Sequence, residues 1–253
     1  MGEVIFVGAG PGDPELITVK GFRALERADR VIYAGSLVNP ELLKICAAGT
    51  PAHDSARLTL EEVIDLIKNG INNNETIVRL HTGDPSMYGA IQEQMDTLNK
   101  LNISYSIIPG VSSVFAAAAA VQREFTLPGV SQTLILTRMA GRTPVPAKES
   151  LAALAQHQAS MAIFLSVQDL GQVVQELLTG YPAGTPIAVV YKASWPEEQI
   201  IWGTLATIVE QVSAAGVRKT AQILIGGFLN SSYDRSKLYD PGFSHEYRTG
   251  NQA

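Results

Sequence analysis

The chain has 253 residues, 46% of them hydrophobic and 17% charged, a globular rather than a disordered composition. Nineteen Lys and Arg against 24 Asp and Glu leave a net charge of −5, so no basic surplus drives non-specific nucleic-acid binding. The longest apolar run, residues 114–121, is far short of the roughly 20 residues a membrane span requires. No signal peptide is expected, and the single cysteine, Cys46, excludes an internal disulfide. The composition fits a soluble, cytoplasmic α/β protein of one large or two small domains.

In chain order, a strand at 4–7 runs into a glycine loop. A helical pattern with Leu16, Val19, Phe22 and Leu25 follows, and then a strand at 31–34. Thr59 and Glu62 have capping-box spacing and open a helix whose apolar face is Leu60, Val63, Ile64 and Ile67. A strand at 77–80 leads to His81-Thr82-Gly83-Asp84-Pro85, a helix carries Ile91, Met95 and Leu98, and a strand at 105–108 precedes Pro109-Gly110-Val111-Ser112-Ser113. The pattern breaks at Pro128-Gly129. A second series of strands then falls near 133–137, 161–165, 187–191, 199–202 and 222–225, with helices bearing Leu170, Val173, Val174 and Leu177 and around 205–212. Residues 138–146 read as a long irregular loop, and 231–253 as a polar, aromatic tail. Short strands alternating with helices predict two α/β domains with largely parallel or mixed sheets, 1–120 and 121–253.

Three loops stand at predicted strand ends. Gly8-Ala9-Gly10-Pro11-Gly12-Asp13-Pro14 misses the dinucleotide fingerprint, because its third glycine comes one residue early and Asp13 takes its place. The second strand also ends in Tyr33-Ala34-Gly35, without the acidic residue that would hold a ribose. Asp84 reads either as a site residue or as the cap of the next helix. The small residues from Ser112 onward would either admit a ligand or let a helix pack closely on the sheet. His81 reads as a polar lining residue. The four histidines are scattered and one cysteine builds no thiolate metal site, so no protein-bound metal is expected. There is no P-loop, no nucleophile elbow and no evident acid–base pair.

Taken together, Val7 through Thr18, Gly83-Asp84-Pro85-Ser86-Met87-Tyr88 and Pro109-Gly110-Val111-Ser112-Ser113 resemble the tetrapyrrole (corrin/porphyrin) methylase family over nearly the whole chain. The stretches from Ile32 to Val38, Leu136 to Pro146, Ala162 to Ser166 and Val190 to Pro196 resemble one branch of it. The resemblance implies two α/β domains with the cofactor in the cleft between them, a homodimer, a tetrapyrrole substrate, and S-adenosylmethionine as methyl donor with S-adenosylhomocysteine as product. It implies cofactor contacts at Pro11, Gly83, Asp84, Pro85, Tyr88, Ser112, Ser113, Phe164, Leu165, Ala193, Thr220 and Ala221. Asp84 is expected to orient cofactor or substrate rather than act as a base. Tetrapyrrole precursors carry many carboxylates, so Arg138 and Arg142 on the irregular loop are the candidate clamps.

Overall fold

The computed structural model of the protein describes residues 2–250, the side chain of Ser36 excepted; the last three residues of the polar tail lie outside them. The described chain forms two compact units, Met1–Ala116 with Lys192–Glu198, and Ala117–Tyr191 with Gln199–Ala253. A single cut at residue 120 does not capture the segment 192–198, which groups with the first unit.

The first unit holds a sheet in the order β3-β2-β4-β1-β5: β1 (Glu3–Gly8), β2 (Arg30–Tyr33), β3 (Ala52–Asp54), β4 (Thr76–His81) and β5 (Tyr105–Ile108). Every pairing is parallel. Parallel strands need crossovers, which cover both faces, and the central strands are accordingly apolar on both sides. Ile5 and Val7 of β1 pack with Ala24 and Leu25, while Val4 and Phe6 pack with Val63, Ile64, Ile67 and Leu98. The all-parallel arrangement has one consequence for function: the carboxyl ends of β1, β4 and β5 emerge side by side, with Gly8 opposite His81 and Val7 opposite Ile108.

Helix α1 (Val19–Glu26) is capped by Thr18, whose hydroxyl accepts from Gly21 N at 3.1 Å. Of its expected apolar face only Leu25 is buried; Leu16 lies in the preceding 3-10 turn, and Val19 and Phe22 are exposed. Helix α2 (Leu60–Asn72) opens with the expected capping box, Glu62 N donating to Thr59 Oγ1 and Thr59 N to Glu62 Oε2. Helices α3 (Gln92–Lys100) and α4 (Ser113–Ala120) follow β4 and β5. Strand β3 has no counterpart in the sequence reading, since three residues at a sheet edge carry no alternation.

The second sheet has the order β6-β7-β10-β8-β9, with β6 (Leu134–Arg138), β7 (Ser160–Phe164), β8 (Pro186–Tyr191), β9 (Gln199–Thr204) and β10 (Ala221–Ile225). It is mixed: β6 and β7 are parallel, and β10 runs antiparallel to both β7 and β8. The ends of β7 and β8 therefore lie at the same edge as the start of β10, with Ala221 opposite Tyr191. Helices α5 (Leu151–Ala155), α6 (Leu170–Leu177) and α7 (Ile208–Ala214) bury Leu151, Val173, Leu177, Ile208 and Val212 against Met161, Ile163, Val189 and Ile223. In the tail, Arg248 donates to the carbonyls of Leu238, Asp240 and Phe243 and folds the segment on itself.

Replacing Thr59 by Ala removes the acceptor for Glu62 N and the cap's reciprocal geometry. The expected loss is about 1 kcal/mol, read as a shift in the urea midpoint with unchanged slope.

Candidate functional site

The three loops singled out in the sequence meet at the strand ends of the first unit. Gly10 N donates to Gly83 O and Gly83 N to Gly10 O, at 3.3 and 2.8 Å, which zips the first loop to the second. The contact tolerates no side chains. A methyl on Gly8 would lie 2.5 Å from Gly110 Cα, and one on Gly110 would lie 2.1 Å from Gly83 O. Three backbones thus pack against one another without a Cβ between them. Gly83 differs in kind, for its φ is +59° and a methyl there would meet nothing closer than Ser112 Cα at 3.7 Å. It supplies a left-handed turn, and a methyl there would make only ordinary contact with Ser112 and Ser113.

Asp84 ties the second loop to the third. Its Oδ2 accepts from Gly110 N at 2.9 Å, and its Oδ1 from the backbone and the hydroxyl of Ser86. Partial burial raises its pKa, but the Ser86 hydroxyl, Gly110 N and Ser86 N outweigh that, and the carboxyl is held below its ordinary value. A carboxylate so held is a poor proton acceptor and a good fixed strut. Ser112 is buried at the start of α4, Pro85 is buried, and Tyr88 is exposed with φ +57°.

Beneath the loops lies a buried polar pair. Arg79 donates from Nε to Gln94 Oε1 and from Nη1 to Ile32 O, with no carboxylate paired to it among the described residues. Burial lowers its pKa to about 10, which leaves it charged near neutrality. His81 stacks on Phe6, its Nε2 has no partner, and burial with the Arg79 charge pushes its pKa down to about 3. His81 is therefore a neutral core residue and does not line the loops, contrary to the sequence reading.

A fourth element of this unit joins the loop cluster; the resemblance implies a cofactor contact at its Ala193, while its bonds to the glycine loop carry no signal in the sequence. The segment 192–198 lies on the glycine loop: Asp13 N donates to Ser194 Oγ at 3.0 Å, and Trp195 Nε1 to Pro11 O at 3.0 Å. Asn39, also buried, donates from Nδ2 to Gly12 O at 2.8 Å. Ala193 is buried in the same segment.

The second unit presents the other candidates at one edge of its sheet. Phe164 ends β7, Leu165 follows it fully out of the core, Ala221 opens β10 and Thr220 directly precedes it. Arg138 spends its Nη1 on the carbonyls of Met139 and Thr143 and its Nη2 on that of Pro144. It holds its own loop closed, whereas Arg142 is exposed at the loop's tip.

Backbone strain marks the same places. Ten described non-glycine residues have positive φ. Asn74, Asn102, Gln122 and Gln158 lie two or three residues past the ends of helices, where a left-handed residue is a routine ending. The other six, Tyr88, Ala90, Leu165, Lys192, Ser194 and Thr220, sit in loops after β4, β7 and β8 or just before β10. Such conformations cost about 1–3 kcal/mol each and gather where a loop shape is needed for function. By contrast, an open groove beside β3, lined by His53, Asp54, Leu58, Glu62 and Asp65, carries three carboxylates and repels a polyanion. No group of three or more His, Cys, Asp or Glu placed to hold a metal occurs among the described residues, and no helix there is long and apolar enough to cross a membrane.

These loops on a parallel sheet, joined to a mixed second sheet, define a family. Residues 3–209 match the Tetrapyrrole (Corrin/Porphyrin) Methylases, and the chain belongs to that family. It is 56% identical to the cobalt-precorrin-4 C(11)-methyltransferase of Methanocaldococcus jannaschii, over 97% of this chain and 96% of that one. It is 47% identical to the precorrin-4 C(11)-methyltransferase of Pseudomonas aeruginosa, over 98% and 99%. Among solved structures, a cobalt precorrin-4 methyltransferase described as a cobalamin biosynthetic enzyme superposes with a TM-score of 0.88 at 45% identity, over 90% of this chain and 96% of that one. The uroporphyrin-III C-methyltransferase of Thermus thermophilus, complexed with S-adenosylhomocysteine, superposes at 0.76 with 26% identity, over 90% and 93%.

Two outcomes are expected. Asp84→Asn places an amide nitrogen against either Ser86 or Gly110 donors, which should cost about 1–2 kcal/mol after allowance for partial exposure. Its contribution is present above the ordinary carboxylate pKa of about 3.9 and is lost as pH falls through the lower native value. His81 acts over a different window. The unfolded chain protonates it below pH 6.5 and the native state only near 3, so native stability falls by about 1.4 kcal/mol per pH unit across that range. His81→Phe, which keeps the stack on Phe6, should flatten that slope in urea titrations at pH 4, 5 and 6.

Proposed function

We propose that the protein methylates cobalt-precorrin-4 at C11, with S-adenosylmethionine as donor, to give cobalt-precorrin-5A in the anaerobic route to cobalamin. The observation that carries the chemistry is the loop cluster at the ends of β1, β4 and β5, where three glycines and Asp84 fix a rigid backbone wall. The substrate rests on the 56% identity to the Methanocaldococcus enzyme over nearly the full length of both chains.

The residues fit a nucleoside-type cofactor held chiefly by backbone. Gly83 turns with a positive φ against Ser112, and Asp84 has its oxygens committed, so the wall offers shape and peptide groups rather than free charge. The cofactor would supply an activated methyl on a sulfonium, its sulfur leaving with the bonding pair as a neutral thioether, and the macrocycle that takes on the methyl and the positive charge then gives up a proton from elsewhere on the ring. What remains for the protein is to fix distance and angle, worth about 7–11 kcal/mol in favourable cases. That agrees with an Asp84 depressed in pKa and with strained, single-shaped loops at Tyr88, Leu165 and Thr220. Pro11, Gly83, Asp84, Pro85, Tyr88, Ser112, Ser113 and Ala193 of the first unit, with Phe164, Leu165, Thr220 and Ala221 of the second, are assigned to the cofactor.

The substrate's carboxylates meet a protein of net charge −5, so local cations must bind them. Arg142, exposed on its loop, is assigned to pair with a carboxylate, and Arg138 to shape that loop. The functional form is assigned as a cytoplasmic homodimer. A metal-free precorrin-4 substrate is the second reading, favoured by the 47% identity to the Pseudomonas enzyme.

Incubation with methyl-labelled S-adenosylmethionine and each precorrin-4 form, followed by NMR of the product, tests the assignment. Label at C11 on the cobalt form is the expected result. Label on the metal-free form alone transfers the protein to the aerobic route, and label at another ring carbon overturns the C11 assignment. Asp84→Asn should weaken S-adenosylhomocysteine binding as well as stability; unchanged affinity would remove its orienting role.

A further inference from the structure

Gly12 has no positive φ to explain it, yet a methyl group at this position would lie 2.0 Å from Trp195 Nε1 and 2.1 Å from Trp195 Cδ1. The indole occupies the place where a side chain would otherwise stand. Its N–H donates to the neighbouring Pro11 carbonyl at 3.0 Å. On either side of that bond, Asp13 N donates to Ser194 Oγ and Gly12 O accepts from Asn39. Three consecutive residues of the loop, Pro11, Gly12 and Asp13, are therefore each gripped by one side chain.

The gripping segment is itself built to one shape. Lys192 and Ser194 have φ of +47° and +69°. Trp195 N donates to Lys192 O, Glu198 N to Trp195 O, and Ser194 N to the Glu198 carboxylate at 2.7 Å. The Lys192 ammonium lies 5.2 Å over the indole ring and pairs with Glu197 at 3.2 Å. Strain is held in place by a closed set of bonds, the condition under which it persists. A loop needed only as a strand-to-helix turn would require none of this.

We propose that Trp195 is a positioning residue for the methyl-transfer reaction: with Ser194 and Asn39 it clamps Pro11–Asp13 into the one conformation that binds the cofactor. The proposal rests on the reading that this loop belongs to the cofactor site. Gly12 is then selected by the indole and not by the ligand, so the two positions are energetically coupled.

The experiment measures S-adenosylhomocysteine binding by calorimetry together with thermal unfolding. Trp195→Phe keeps a ring over Gly12 and loses only the bond to Pro11; it should weaken binding about tenfold, with KM for the donor raised and kcat near that of the unaltered protein. Gly12→Ala should weaken binding more, and should add nothing in a Trp195→Ala background, where the methyl has room. In a Trp202→Phe protein the remaining tryptophan should change its emission on titration with S-adenosylhomocysteine. Unchanged affinity in Trp195→Phe, or additive effects of Gly12→Ala and Trp195→Ala, overturns the clamp. Absence of binding by the unaltered protein instead overturns the cofactor reading, and the clamp with it.

Discussion

The close packing of Gly8, Gly83 and Gly110 is the constraint from which the rest of the first unit's site follows. Three parallel strands bring three chain segments to one edge, and a side chain on Gly8 or on Gly110 there would hold those segments apart. With hydrogen in place of Cβ, Gly8 and Gly110 come within contact of each other and of the Gly83 carbonyl. Only at that separation can Gly10 and Gly83 exchange backbone bonds and Asp84 reach Gly110 N. The loops are consequently bonded to one another rather than left as three separate connections, which is what the proposed methyl transfer, governed by distance and angle, would require.

Most of the architecture was readable because it rests on short-range rules. The apolar runs at 4–7, 77–80 and 222–225 became β1, β4 and β10, and Thr59 with Glu62 formed the box their spacing announced. Where the reading failed, the deciding interaction was tertiary. Val19 and Phe22 continue the spacing of a buried face but are exposed, because the sheet is covered by Ala24 and Leu25 of the same helix. His81 looked like a lining residue from its place beside Gly83; strand alternation turns it onto Phe6 instead.

The glycines of the first motif show the same division. Their number signalled a special loop, but the reason for each lies in a partner distant in sequence: Gly110 for Gly8 and Trp195 for Gly12. Nothing local to residues 8–14 announces a tryptophan some 180 positions away. Arg138 makes the converse point. A guanidinium on an irregular loop suggests an anion clamp, yet three of its N–H groups serve carbonyls of its own loop.

Strain distribution separates structural loops from functional ones more sharply than composition does. A left-handed residue after a helix replaces orphan carbonyl partners and serves the fold. At the ends of β4, β7 and β8 and before β10 no helix terminus needs such a residue, and glycine, which would adopt the conformation at less cost, is absent from Tyr88, Leu165, Lys192, Ser194 and Thr220. Side chains are retained there despite the conformational penalty. Leu165 is the clearest case, since it is both strained and 72% exposed, so neither backbone preference nor burial accounts for it. It stands at the same end of the sheet as Thr220 and Ala221, beside the start of the antiparallel β10, among the residues proposed above for the cofactor.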